Sequence, residues 1–311
     1  MDAETRYDVI IVGGSHAGLS AAMLLGRSLR NVLIVDSGKP CNRQTPHSHN
    51  FLTQDGATPA QITVIAKAQV LAYPTVTWLT GLAVNATKHS TGFVVETVTG
   101  HRFTSRRLLL ATGVEDIMPD IGGFADCWGR SVLHCPFCHG YEVHSQPLGI
   151  LANGETAYEM VRLIQNWSKS LTLFTNGPAA LTDNQRQTIA QLGVPIVEDL
   201  VGRLEHEDGN LQALRSQNGS RHELTAIFSR VPFRQHSSLA EQLGSELTDM
   251  GLVKTTQFGQ TNVPGLYAAG DNSTLLRQVS VAVANGSLAG VGLHKELMEE
   301  DLAAISLSVA V

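Results

Sequence analysis

The chain has no cluster of basic residues. Its 22 Lys and Arg are scattered and outnumbered by 28 Asp and Glu, for a net charge of −6, so the electrostatic footprint of a nucleic-acid binder is missing. No uninterrupted apolar run is long enough to span a bilayer. Residues 1–7 are acidic and polar and lead straight into an apolar strand, which is not the charged-then-apolar layout of a signal peptide. The expectation is a cytoplasmic protein with small-molecule or protein partners and no membrane contact. Cysteine is scarce: four in 311 residues do not make a disulphide framework in such a compartment, so the one close pair, Cys135 and Cys138, is expected to be catalytic or metal-binding.

What is present is a doubled plan. Residues 7–13 read as a short β-branched strand, 17–30 as an amphipathic helix and 31–36 as a second buried strand, which together form a βαβ unit. A strand at 148–152, a helix at 155–167 and a strand at 170–174 repeat it, so the fold class is α/β with two Rossmann-like dinucleotide-binding domains. Between them, β structure at 93–98 and 101–110 ends at Ala111-Thr112-Gly113, and the Pro/Gly-rich stretch 118–123 is the expected crossing between domains. A strand at 265–268, a Gly270-Asp271 turn and a helix at 280–298 follow. The expected partition is a discontinuous cofactor unit, 1–115 with 247–311, and a central unit, 116–246, that carries the thiol pair.

Gly13-Gly14-Ser15-His16-Ala17-Gly18 occupies the first strand-to-helix turn, where backbone N–H groups and the positive helix end can hold a pyrophosphate. Gly13 and Gly18 keep the outer glycines of the G-x-G-x-x-G pattern. Ser15 replaces the glycine that allows close phosphate approach, and serine is the smallest polar substitute. Asp36 closes the second strand, where a carboxylate can accept hydrogen bonds from a ribose hydroxyl. A turn of small residues serving packing alone would not need Asp36 in that register. The motif by itself does not separate FAD from NAD.

His134-Cys135-Pro136-Phe137-Cys138-His139 is the most informative stretch. A C-x-x-C pair at a helix start places both sulphurs on one face, close enough to bridge. Pro136 suits the first helical position, and a helix N-terminus favours the thiolate. The pattern also matches a c-type haem attachment site, but that chemistry belongs to exported proteins. A zinc site needs two further ligands, and Cys41 and Cys127 form no second C-x-x-C, which leaves only nearby histidines. A purely structural pair fits poorly with proline between the cysteines and histidine on both sides. Redox catalysis is the leading reading, with no metal. His139 can take a proton from a thiol or return one to a thiolate near neutral pH; the alternative is a structural histidine donating to a backbone carbonyl.

Thr261 to Asp271 (TNVPGLYAAGD) resembles the second FAD fingerprint of the two-dinucleotide-binding-domain flavoproteins, and Ala111-Thr112-Gly113 resembles their connecting motif. The order of FAD turn, Ala-Thr-Gly, C-x-x-C-His-Gly, second βαβ unit and Gly-Asp resembles the low-molecular-weight thioredoxin reductase family over nearly the whole chain. The Cys-Pro-Phe-Cys-His-Gly-Tyr-Glu form, with residues 42–56 (NRQTPHSHNFLTQDG), is similar to the branch that includes the gliotoxin- and holomycin-type dithiol oxidases. The resemblance implies FAD, held by Gly13, Ser15, Gly18, Asp36, Thr112, Gly113, Gly270 and Asp271. It implies that Cys138 faces the flavin and bonds to it transiently. It also implies that Cys135 exchanges with a thioredoxin-like protein or a small-molecule dithiol or disulphide, and that the protein is a homodimer. His139 stands where thioredoxin reductases usually carry an aspartate acid/base. His47 and His49 lie on the resembling loop, beside the flavin or in solvent.

One part of that pattern is lacking. In the second βαβ unit the Gly-rich turn reads Ala152-Asn153-Gly154-Glu155-Thr156-Ala157, with Ala152 in place of the first glycine. NADPH-using members carry arginines after the next strand, whereas residues 175–180 (TNGPAA) offer no cation to a 2′-phosphate. NADPH use is therefore expected to be weak or absent. Three readings stay open: a thioredoxin reductase-type exchange enzyme fed weakly by NADPH or by another carrier, a dithiol oxidase passing electrons to oxygen, and a non-enzymatic thiol redox sensor.

Overall fold

A computed structural model describes residues 6–309. Its larger sheet holds β1 (Arg6–Val12), β2 (Val32–Asp36), β3 (Val76–Thr80), β4 (Ala83–His89), β5 (Gly92–Thr97), β6 (Arg102–Leu110) and β17 (Leu266–Ala268). β3, β2, β1, β6 and β17 run parallel, while β5 and β4 extend antiparallel from the first half of β6. Strand alternation feeds two cores. Val9 and Ile11 of β1 face α1 (His16–Arg27) and α8 (Val279–Val309), and Ile10 and Val12 face the other side of the sheet. Each such fully buried aliphatic side chain contributes roughly 1.5–3 kcal/mol. α2 (Pro59–Leu71) is started by Thr58 and Gln61, which satisfy each other's backbone N–H groups.

The smaller sheet is parallel, in the order β11 (Ile196–Val197), β10 (Leu171–Phe174), β9 (Leu148–Leu151), β15 (Ala226–Ser229), β8 (Val132–Leu133). α5 (Gly154–Ile164) and α6 (Asp183–Gln191) pack beside it, and β12 (Val201–Glu207), β13 (Asn210–Ser216) and β14 (Arg221–Glu223) form an antiparallel meander. Two short helices, α3 (Phe124–Cys127) and α4 (Pro136–His139), flank β8.

The chain passes between the sheets twice, and the crossing strands β7 (Val114–Asp116) and β16 (Phe233–Gln235) pair antiparallel. The outgoing crossing thus comes just before the Pro/Gly-rich stretch. After the return, α7 (Leu239–Gln242) buries Leu239 and Ala240 in the core of the larger sheet, so the chain is back on that sheet ahead of residue 247.

Two helices end elsewhere than periodicity suggests. α1 stops at Arg27 because Leu29 takes a left-handed conformation (φ 59°) and the Arg30 N–H closes onto the Leu25 carbonyl. α8 continues past residue 298 because its last turns are tied to the sheet. Arg107 reaches Glu296 (3.0 Å) and Glu300 (2.6 Å), Arg106 reaches Asp301 (2.6 Å), and Arg30 reaches Asp301 as well (2.6 Å).

Candidate active site

The turn between β1 and α1 divides a two-lobed site. One lobe, about 240 Å³, is lined by Gly13, Asp36 and Thr112 together with Gly81 and residues 236–238. The other, about 140 Å³, is lined by Ser15, His16, Gly113, Gly270 and Asp271 on one side and by Cys41, His134 and Arg277 on the other. Gly13 holds φ 105° at the apex, and a Cβ there would collide with the Ala111 carbonyl. Gly18 lines neither lobe. A Cβ on it would strike the Gly13 carbonyl, so its service is close packing of α1 on β1. Asp36 accepts from Gly14 N–H (2.8 Å) and Gly38 N–H (3.0 Å), which shapes the turn from below.

The second lobe has the chemistry of a cofactor cradle. His16 Nε2, His134 Nε2 and Arg277 Nε are buried without a hydrogen-bond partner among the described residues, and all three belong to residues lining it. Buried polar atoms are rarely left so. Gln278 and Val279 bring the N-terminus of α8 to the same lobe, where its partial positive charge favours an anionic group. Two lobes joined at a backbone N–H turn, with a carboxylate at one end and unpaired donors at the other, fit a dinucleotide with an extended aromatic head.

Arg277 organises this end. It forks onto Asp116 (2.6 and 3.0 Å) and lies 3.6 Å from Asp271. The Trp128 indole N–H also donates to Asp116 (3.2 Å), and Trp128 stacks on His134. Cys41 directs its thiol at Asp271 (3.6 Å). Burial, and then the charge of Asp271, pushes that thiol up to about 12, and burial raises the Asp271 carboxyl against the pull of Arg277. Burial, reinforced by Arg277, holds His134 down at about 4, so it is neutral at physiological pH.

Cys135 and Cys138 form a disulphide, with Cα atoms 5.3 Å apart. Cys135 precedes the single turn of α4, and its carbonyl accepts from both the Cys138 and His139 N–H groups (3.2 Å each). One turn carries far less dipole than the helix expected there, so position in a cleft matters more than the macrodipole. That cleft, about 430 Å³, is lined by Cys135 but not Cys138. Trp128, Phe137, Met250, Leu275 and Leu276 make it apolar, and it shares His134, Arg277 and Gln278 with the second lobe.

His139 is half-buried, and burial lowers its pKa, with Glu142 opposing. His49 meets it edge-on (6.4 Å between centroids) and reaches Glu142 (3.4 Å) and Asp55 (3.6 Å). His47 is exposed and bonds the Gly56 carbonyl (2.9 Å). Neither loop histidine lines the two lobes; His49 belongs with His139.

In the central unit, Asn153 fills the turn where a nucleotide phosphate would lie. Its Oδ1 accepts from the Gly154 and Ala180 N–H groups (2.8 Å each), and its Nδ2 donates to the Thr175 (3.1 Å) and Pro178 (3.0 Å) carbonyls. The nearby Arg186 is engaged by Glu198 (2.9 Å) and the Ala179 carbonyl (2.9 Å).

Sequence patterns did not single out His16, Cys41, His134, Arg277 or Gln278 as lobe residues. They come from four separate points on the chain, and only the position of Arg277-Gln278 directly before α8 is a local signal.

Residues 7–286 match the family described as pyridine nucleotide-disulphide oxidoreductase. Thioredoxin reductase aclD of Aspergillus oryzae is 32% identical over 97% of this chain and 99% of its own. The crystal structure of an oxidoreductase from Agrobacterium tumefaciens is 36% identical, with TM-score 0.89 over 94% of this chain and 99% of its own. The crystal structure of HlmI is 32% identical, with TM-score 0.92 over 100% of this chain and 98% of its own.

Proposed function

The chain belongs to the pyridine nucleotide-disulphide oxidoreductase family, and from that premise we propose that it oxidises a small-molecule dithiol and passes the electrons to oxygen without NADPH. It is an FAD-dependent dithiol/disulphide oxidoreductase of thioredoxin reductase type. The observation that carries the finer reading is Asn153. Its side chain takes up the Gly154 N–H at the start of α5, which a pyrophosphate would need, and the Ala180 N–H in the loop after β10, where residues 175–180 carry no cation to meet a 2′-phosphate and Arg186 is already engaged.

The residues divide the work as follows. Residues 1–115 with the chain from residue 236 onward form the FAD unit, and the stretch between the two crossing strands carries the disulphide. Asp36 and Thr112 take the adenosine end, the Gly13–Gly18 turn the pyrophosphate, and Gly113, Gly270, Asp271 and the start of α8 the flavin end. Bound FAD supplies a two-electron acceptor for the cysteine pair. A substrate thiolate in the apolar cleft attacks Sγ of Cys135, the sulphur that lines it, and opens the bond to Cys138. The second substrate thiol then displaces Cys135, leaving substrate disulphide and two reduced cysteines. Cys138 leaves as a thiolate, and His139, whose pKa burial lowers, takes up a proton given up by the substrate thiols and passes it outward past His49 and Glu142. Each turnover removes two electrons and two protons from substrate, and oxygen receives them as hydrogen peroxide.

A cleft of about 430 Å³ with aromatic and aliphatic walls is of the size that encloses a small molecule, which favours such a substrate over a folded thioredoxin. Among the described residues no helix is long and apolar enough to cross a membrane. The reading takes the enzyme as cytoplasmic, consistent with two unpaired cysteines, Cys41 and Cys127. It also takes it as a homodimer, for which the exposed Met298 and Leu302 on α8 offer an apolar surface. Anaerobic stopped-flow decides the central point. Dithiol should bleach the flavin within a turnover and NADPH should not; rapid bleaching by NADPH would refute the reading.

A further inference from the structure

A second cavity adjoins the flavin lobe on the side away from the disulphide. It encloses about 280 Å³ between α1, α2 and the start of α8. Leu19, Met23, Phe51, Ile62 and Val70 give it apolar walls, and the exposed Thr53, Ile65 and Gln69 mark its mouth. It shares a single residue, His16, with the flavin lobe. The first turns of α8 border both, with Val279 and Ala282 on the lobe and Val283 on the cavity. The Ser20 hydroxyl donates to the Val283 carbonyl (2.7 Å) and pins that wall. The substrate cleft touches the flavin lobe through His134, Arg277 and Gln278 and has no residue in common with this cavity.

We propose that this cavity is the route by which dioxygen reaches the reduced flavin, with His16 as the wall between the two. The proposal rests on the oxidase reading above. The approach past His134, Arg277 and Gln278 is the one that joins the lobe to the substrate cleft, so a co-substrate present at the same time has a separate approach on the His16 side. Dioxygen is small and apolar. Its inner wall of Leu19, Met23, Phe51, Ile62 and Val70 offers water few partners and admits apolar gases. Of the buried residues lining the cavity, His16 alone is polar. It is 8% exposed, and its Nε2 has no hydrogen-bond partner among the described residues. That places the His16 imidazole at the boundary where dioxygen leaves the apolar path and takes up two electrons from the flavin and two protons to become hydrogen peroxide.

Two variants and one structural probe test the route on the FAD-loaded enzyme. Ala66→Phe fills the cavity from α2, and Ile65→Trp narrows its mouth from an exposed position that does not bear on folding. Each should slow reoxidation of dithiothreitol-reduced flavin by oxygen about tenfold, with anaerobic reduction by dithiothreitol changed by less than about twofold. Reoxidation by ferricyanide, too large and too charged for the cavity, should be unaltered. Crystals under xenon pressure should show xenon beside Leu19 and Met23 in wild type and not in Ala66→Phe. Unchanged oxygen rates in both variants, with xenon excluded from Ala66→Phe, would overturn the route. Wild-type reduced flavin that oxygen fails to reoxidise within a turnover would instead overturn the oxidase reading, and the route with it.

Discussion

Asp116 is the strongest single point of failure between the two sheets. It lies on the crossing strand β7, its side chain is 8% exposed, and it is gripped by Arg277 from the FAD side and Trp128 from the disulphide side. Asp116→Ala leaves the Arg277 guanidinium, 13% exposed, with only Asp271 at 3.6 Å. Removing one partner of a buried ion pair costs roughly 3–5 kcal/mol, and the orphaned indole N–H adds about 1 kcal/mol. A loss of about 4 kcal/mol should lower the melting temperature on the order of 10 °C. Differential scanning calorimetry and urea unfolding of the FAD-loaded protein measure it. The double variant Asp116→Leu with Arg277→Met removes both charges at once, so it should be more stable than Asp116→Ala alone, since a well-packed apolar pair can equal a buried ion pair. A shift below about 1 kcal/mol in Asp116→Ala, or a double variant as unstable as the summed singles, would refute the claim that this fork joins the units.

Cys135→Ser should abolish dithiol-driven flavin bleaching, a fall of about a thousandfold or more in stopped-flow, because Cys135 is the sulphur in the cleft. Substituting His139 by Gln should flatten the acid limb of the pH profile of turnover. Burial moves that limb down from the ordinary histidine value, so the acid decline of wild type should fall at lower pH than an unburied histidine would give. His134 gives a stability signature. Its folded pKa of about 4 lies below the unfolded value of about 6.5, so its neutral form contributes stability that is complete above pH 6.5. That stability is lost as pH falls toward 4, about 3 kcal/mol in all. Melting curves across that window should show His134→Asn with the shallower pH slope. Gly18→Ala should force α1 off β1, and the purified protein should lose most of its FAD, read from the ratio of visible to ultraviolet absorbance.

The doubled βαβ plan was legible because each strand is a short β-branched run and each turn carries small residues at fixed spacing, which are signals local to about 30 residues of chain. The disulphide was legible for the same reason: a three-residue separation fixes the distance between Cys135 and Cys138 whatever surrounds them. Helix ends were less so. Nothing in the periodicity beyond residue 298 announces that Arg106 and Arg107 hold Glu300 and Asp301 from a strand nearly 200 residues earlier, and nothing in 28–30 announces a left-handed Leu29. His49 could be read as a flavin neighbour or as a solvent histidine, and its contacts with Glu142 and His139 were not legible because those partners lie some 90 residues further along the chain.

The sequence by itself determined which chemistry the chain carries: two redox thiols beside a histidine, a small-residue strand-to-helix turn with Asp36 in register, and a central turn with Ala152 in place of the first glycine and no cation in residues 175–180. Only the tertiary structure decided where that chemistry faces. It set Cys135 rather than Cys138 in the apolar cleft, joined the cleft to the neighbouring lobe through His134 and Arg277, and tied the turn before α5 to the loop after β10 through Asn153. The physical reason is that a residue's type and its nearest neighbours fix its bonding capacity, whereas burial, pairing and access depend on segments that meet only when both sheets are assembled.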